Sequence, residues 1–218
     1  MRIELRGVAK GRDGRSLPTT NLSYESGRAT LARAETEQRP TVLGLLASGR
    51  MRADTGTVML DGRADAAGIR RRIALVDAPD VSDPAPSVTV AGVTAEELMF
   101  AGLPSGRMAV MHWLRAAGLD GLARLPIANV APKQRVQLLT ELAILRAGVE
   151  GLVVVAPDRH GGDPVDWWEQ GKDLAERGYA VLMVAGDAAA TAIGAAAMLS
   201  RMRGGDEDER ALAAGGLA

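Results

Sequence analysis

The chain has 218 residues, 47% hydrophobic and 24% charged, with a net charge of -1 and no cysteine. It is long enough to bury one substantial α/β core and too apolar for a disordered chain. It carries no basic field to attract nucleic acid or an anionic membrane surface, and disulfides and cysteine-ligated metals are excluded, which is compatible with the cytosol.

The N-terminus, Met1-Arg2-Ile3-Glu4-Leu5, alternates as a strand does and has no signal-peptide apolar run. An abundance of arginine and alanine, with lysine only at Lys10, Lys133 and Lys172, points to a high-GC bacterial genome. In chain order, Arg2 to Arg6 reads as a strand and Gly7 to Gly14 as turn residues. Asn21 to Tyr24 and a run ending near Ala32 read as two further strands. Three strands before the first helix imply an antiparallel sheet beside a later α/β part. Thr41 to Ala47 is helical, Gly56 to Leu60 is a strand ended by the Asp61-Gly62 turn, and Arg72 to Val76 is a short apolar strand. Asp77 to Pro86, rich in Pro and Asp, is a loop and marks a subdomain boundary.

From Thr94 to Ala123 the apolar spacing is helical, and Lys133 to Arg146 forms a longer helix opened by Ala131-Pro132. Leu152 to Val155 is a buried parallel strand. Asp166 to Arg177 is a helix stopped by Gly178, and Ala180 to Val184 is the next buried strand. The apolar stretch from Tyr179 to Ser200 is interrupted by Gly186, Asp187 and Gly194, so it reads as a strand followed by an Ala-rich helix and not as a membrane span. Alternating strand and helix gives a parallel sheet with right-handed crossovers.

The stretch from Leu31 to Ala47 has the strand, loop, helix order of a phosphate loop. The four fixed positions of G-x-x-x-x-G-K-S/T fall on Arg33, Gln38, Arg39 and Pro40, none of which matches.

Several segments resemble those of an ATP-binding-cassette (ABC) nucleotide-binding domain, in the same order. Asp54-Thr55-Gly56-Thr57-Val58-Met59-Leu60-Asp61-Gly62 is similar to D-S-G-x-V-x-x-D-G, and Ser87-Val88-Thr89-Val90 to the L-T-V that introduces the helical subdomain. Lys133-Gln134-Arg135-Val136 is similar to the R-Q-R-V after the signature, and Gly161-Gly162-Asp163-Pro164 to the G-L-D-P of the D-loop. The resemblance implies an α/β, P-loop NTPase-like ABC ATPase fold. Its mixed or parallel core sheet would carry an N-terminal antiparallel β subdomain and an inserted helical subdomain. Residues 1–78 and 133–203 would form the core, 79–132 the helical subdomain and 204–218 a solvated tail.

Carried over position by position, the family's chemistry is missing. Glycines that would let backbone N–H groups approach phosphate are Arg33 and Gln38, and the phosphate-binding lysine is Arg39. Pro40 removes a hydroxyl and an N–H donor, and Thr41 alone matches. Ala156 and Pro157 stand where an Asp would orient Mg²⁺ and a Glu would activate water, with Asp158 late in register. The adenine-stacking aromatic corresponds to Arg12, the Q-loop glutamine to Ala78 and the switch histidine to Gly186. The signature L-S-G-G-Q corresponds to Ala128-Asn129-Val130-Ala131-Pro132, and among these sites beyond the phosphate loop only the D-loop Asp163 is kept.

The resemblance and these losses together imply a degenerate ABC-type subunit without ATPase activity, a pseudo-ATPase. It would act as a cytosolic binding or regulatory module, peripheral on the inner face of the membrane, for a membrane protein or an intact ABC ATPase subunit. The alternatives are the non-catalytic half of an asymmetric ABC ATPase, and nucleotide binding without hydrolysis. Neither ATP in its usual geometry nor Mg²⁺ is expected as a cofactor. Residual binding positions are Arg39, Thr41 and Asp163, and a homodimer is a further partner arrangement. One of Glu35 and Glu37 is expected to fold over the start of the first helix, whose N-terminal dipole attracts a carboxylate as it would a phosphate. His112 reads as a partly exposed helix residue, His160 as a loop residue without a metal-binding carboxylate set, Trp167 and Trp168 as core caps, and Met99, Met108 and Met111 mostly as helical core, with a Met-rich contact surface as the lesser reading.

Overall fold

The computed structural model describes residues 1–35 and 39–198. Three strands, β1 (Arg2–Lys10), β2 (Leu17–Glu25) and β4 (Thr55–Leu60), form an antiparallel sheet in the order β2-β1-β4. Four others, β3 (Arg28–Arg33), β5 (Ile73–Val76), β6 (Gly151–Val155) and β7 (Ala180–Ala185), form a parallel sheet in the order β3-β7-β6-β5. The third early strand, β3, therefore leaves the antiparallel sheet in which the sequence places it, and β4 takes its place beside β1. Its register, Arg28 on Ala180 through Arg33 on Ala185, explains why. Every residue of β7 is buried, so its backbone groups need a hydrogen-bonded neighbour on both edges. β6 serves one edge and β3 the other.

β1 also runs past Arg6. Gly7, at φ 57, absorbs a bulge in the pairing with β2, and its N–H donates to Asn21 Oδ1 at 2.8 Å, so the strand resumes at Val8.

The two faces of the parallel sheet follow from the two-residue period of its strands. Leu152, Val154, Val181 and Met183 face one core, while Val153, Val155, Leu182 and Val184 face the other. Burying each such side chain stabilises the fold by about 1.5–3 kcal/mol before entropy is counted. On the second face lies α1 (Arg39–Ala47), seated against β6 through Gly44. A Cβ at Gly44 would meet Val155 Cγ2 at 2.5 Å, so only glycine permits this approach. Tyr24 ties β2 to the end of α1, its hydroxyl donating to the Ala47 carbonyl at 2.8 Å.

α2 (Ala66–Arg72), which the periodicity does not announce, is started by Asp65, whose side chain accepts from Gly68 N at 2.7 Å. The other face is covered by α3 (Val90–Phe100), α4 (Arg107–Ala116), α5 (Pro132–Ala143), α6 (Pro164–Glu176) and α7, described over 187–198. α3 starts earlier than its apolar spacing suggests because the Thr89 hydroxyl accepts from Gly92 N at 3.1 Å. α5 ends at Ala143, short of Arg146, in a non-helical turn.

Trp167 is buried, and Trp168 packs against the same core. Met111 packs, half-buried, against the core as expected, but the expectation for Met99 and Met108 needs correction. Met99 and Met108 are 58% and 83% exposed, because α3 and α4 bury Leu98, Val110 and Leu114 and turn the methionines outward. As far as residue 198, the stretch from Tyr179 folds as β7 followed by α7. Among the described residues no helix is long and apolar enough to cross a membrane. The tail from 204 onward lies outside the described residues.

Candidate functional site

All four strands of the parallel sheet end on the same side, and ligands of open α/β sheets bind beyond such carboxyl ends. Four loop starts meet there: Ala34-Glu35 after β3, Asp77-Ala78 after β5, Ala156-Pro157 after β6 and Gly186-Asp187 after β7. Asp77 and Ala156 both hold left-handed backbone, at φ 56 and φ 48, so β5 and β6 end in sharp turns.

The Asp77 carboxylate, 2% exposed, is the centre of this end of the sheet. Arg135 from the first turns of α5 reaches it with Nη2 at 2.6 Å from Oδ1 and Nε at 3.1 Å from Oδ2. Arg159 Nη2 donates to Oδ1 at 3.0 Å, and His160 Nε2 lies 3.0 Å from Oδ2. Arg159 also turns Nη1 onto the carbonyls of Asp77 at 2.6 Å, Val155 at 2.9 Å and Ala156 at 3.3 Å. A guanidinium thus bridges the ends of β5 and β6. Burial alone would push the Asp77 carboxyl up. The hydrogen bonds from His160 and Arg135 and the charges of Arg135 and Arg159 outweigh it, and hold the group below the usual carboxylate range. His160, read from sequence as a loop residue, ends a short 3-10 turn, Pro157–His160, that aims its ring at Asp77.

Two further carboxylates close the start of α7. Asp158 Oδ2 accepts from Gly186 N at 2.9 Å, and Glu35 Oε1 accepts from Asp187 N at 2.5 Å. A Cβ on Gly186 would lie 2.8 Å from Glu35 Oε1 and 3.0 Å from Asp158 Oδ2, so a side chain at the position matching the switch histidine would have to displace the Glu35 carboxylate. One of Glu35 and Glu37 was expected over α1, and Glu35 does not lie there. It reaches instead across the strand ends to α7, because β3 lies beside β7 and the first N–H groups of α7 face it. Glu37 and Gln38 lie outside the described residues.

Of the residues expected at a nucleotide site, Arg39 and Thr41 share the start of α1, both half-buried. The Arg39 Nε is buried with no hydrogen-bond partner among the described residues. It lines a cavity of about 220 Å³ with Arg33, Glu35, Asp187 and residues of β2. Asp163 is elsewhere: exposed, it caps α6 by accepting from Val165 N at 2.9 Å. Ala131 and Pro132, from the signature stretch, are the cap and first residue of α5. Ala78 is buried. Sequence reasoning missed Asp77, Arg135 and Arg159 as a group, since their partnership spans 58 and 82 positions and leaves no local pattern.

No protein-family model matches the sequence, and no curated protein matches it significantly. Solved structures do. An ATP-binding protein of an ABC transporter from Pyrococcus furiosus superposes with a TM-score of 0.59 at 12% identity, over 86% of this chain and 92% of that one. A nucleotide-free ATP-binding cassette from an ABC transporter gives 0.60 at 16% identity, over 86% and 82%. An inward-facing metal-chelate type ABC transporter gives 0.57 at 15%, over 84% and 71%. The chain has the fold of the ATP-binding subunits of ABC transporters.

Proposed function

We propose that the chain is a pseudo-ATPase, an ABC-type subunit that does not hydrolyse ATP. It works as a binding or regulatory module, at the cytoplasmic face, for a membrane protein or a catalytically intact ABC subunit. The observation that carries this reading is that side chains of the chain itself occupy the ends of β5 and β6 and the start of α7. Magnesium needs oxygen ligands near the end of β6. Ala156 and Pro157 offer no side-chain oxygen, Asp158 is engaged by Gly186 N, and the Arg159 guanidinium already holds the nearby carbonyls. A triphosphate needs convergent N–H donors and a hydroxyl. Pro40 supplies neither, and the described N–H groups at the start of α7 are taken by Glu35 and Asp158. These residues do not fit a Mg²⁺–ATP complex.

The exposed Met99 and Phe100 at the end of α3 support a module that binds through its helical segment. Affinity capture from membranes tests this. The expected outcome is recovery of one integral membrane protein or one ABC subunit in stoichiometric amount, and recovery of neither would defeat the reading.

Nucleotide binding without hydrolysis has one observation in its favour, the unpartnered Arg39 Nε beside its small cavity. Calorimetry with ATP, once with Mg²⁺ and once with EDTA, separates the two. The pseudo-ATPase module gives no heat of binding in either, while an Arg39-held anion gives a signal that Arg39→Ala removes.

A further inference from the structure

The helical segment carries a surface that the reading above does not use. α4 sets Arg107, Met108, Met111, His112 and Arg115 along one side, where they line a hollow of about 440 Å³. Sharing Arg107 and Met111 with it is a cleft of about 660 Å³, walled by Ala91, Ala95, Val110 and Ala123 and rimmed by Arg124 and Asp120. Arg107, Arg115 and Arg124 are exposed, and their guanidinium groups enter no hydrogen bond or ion pair among the described residues. Among the described residues, the only carboxylate lining either hollow is Asp120. The surface is thus apolar in its floor and cationic at its edge, and it calls for an occupant that is acidic with apolar side chains close behind.

We propose that the occupant is the chain's own segment 206–212, Asp206-Glu207-Asp208-Glu209-Arg210-Ala211-Leu212, with the carboxylates on the three arginines and Leu212 in the cleft. Three considerations select it. The segment is the densest acidic run in the sequence and is followed directly by Ala211 and Leu212, so its chemistry mirrors the surface. Arg107 and Arg115 are two helical turns apart, about 12 Å along the axis, and four extended acidic residues span about 10 Å. The eight steps from Met198 to Asp206 reach up to about 26 Å, and α7 and α4 are built on the same core, Ile193 of one joining Val110 and Leu114 of the other. Covalent attachment keeps the local concentration of the segment high, so weak exposed ion pairs suffice, and salt should weaken them.

The chain has no cysteine, so engineered pairs report on the full-length protein without background. Met108→Cys with Leu212→Cys should form an intramolecular disulfide under mild oxidation about tenfold faster than the control pair Arg12→Cys with Leu212→Cys, because docking raises the effective concentration of one thiol at the other. About 0.5 M salt, or Arg107→Glu with Arg124→Glu, should remove most of that advantage. In parallel, hydrogen exchange of α4 should become several-fold faster when Asp206, Glu207, Asp208 and Glu209 are all replaced by Lys. Equal rates for the two pairs, disulfides formed only between chains, or α4 exchange unchanged by the four substitutions would each overturn the proposal. The first and last would leave the surface to a separate acidic partner, and the second to another copy of this chain.

Discussion

Arg135 and Asp77, 58 positions apart, meet in a two-pronged ion pair with side-chain exposures of only 4% and 2%, and so fasten the start of α5 to the end of β5. Removing one member of such a pair strands the other charge. Arg135→Met should cost about 3–5 kcal/mol, toward the lower end because Arg159 and His160 still face the carboxylate. The double variant Arg135→Met with Asp77→Leu should be more stable than the sum of the two single losses, as read from urea midpoints. Strict additivity would mean that the two side chains are not energetically coupled.

Acid should act through the same carboxylate. The Asp77 group is held below its ordinary value in the fold, so its contribution is complete above the unfolded-state value, about 4, and is lost as pH falls through the lower folded-state value. Unfolding free energy measured from neutral pH downward should therefore decline below about pH 4, and the decline should be shallower in Asp77→Asn. Identical slopes for the two proteins would remove Asp77 from the acid transition.

Gly186 tests the closure of α7. Gly186→His places a Cβ 2.8 Å from Glu35 Oε1 and 3.0 Å from Asp158 Oδ2, so the Glu35 carboxylate must move off the helix start and Asp158 must give by a few tenths of an ångström. The expected loss is about 1–3 kcal/mol. Gly194→Ala, in the same helix with nothing within 4 Å, is the control. It should be neutral or stabilising by up to about 1 kcal/mol. Thermal unfolding of the two variants checks both expectations, and a Gly186→His protein as stable as the parent would mean the Glu35 capping bond contributes nothing.

What was legible in the sequence was what short-range physics writes there. The Val-rich β6, the Gly178 stop after α6 and the Ala131-Pro132 start of α5 each carry a local signal, and each element stands within a few residues of its expected place. The sheet to which β3 belongs was not legible, because Arg28–Arg33 has the same alternation whether its neighbour is β2 or β7. The choice is made by β7, which needs its second edge covered. The substituted phosphate-loop positions were read directly, residue by residue. What replaced their chemistry was not, since the use of Arg159 at the ends of β5 and β6, and of Glu35 at α7, depends on which strands lie side by side.

The last prediction concerns repair. Ala156→Asp with Pro157→Glu would return two carboxylates to the end of β6, the residue types that orient magnesium and activate water, and a general base alone is commonly worth about 10²- to 10⁴-fold in rate. No turnover should follow. The Arg159 guanidinium already lies against the Val155 and Ala156 carbonyls at 2.9 and 3.3 Å, where it would pair with an added carboxylate in place of a metal ion. Arg39 and Pro40 still lack the lysine and hydroxyl that hold a transferring phosphoryl group. Phosphate release from ATP should stay at background for the parent and the double variant, with Mg²⁺ and with EDTA alike. Magnesium-dependent release from the parent, abolished by Arg39→Ala, would instead make this chain a working ATPase.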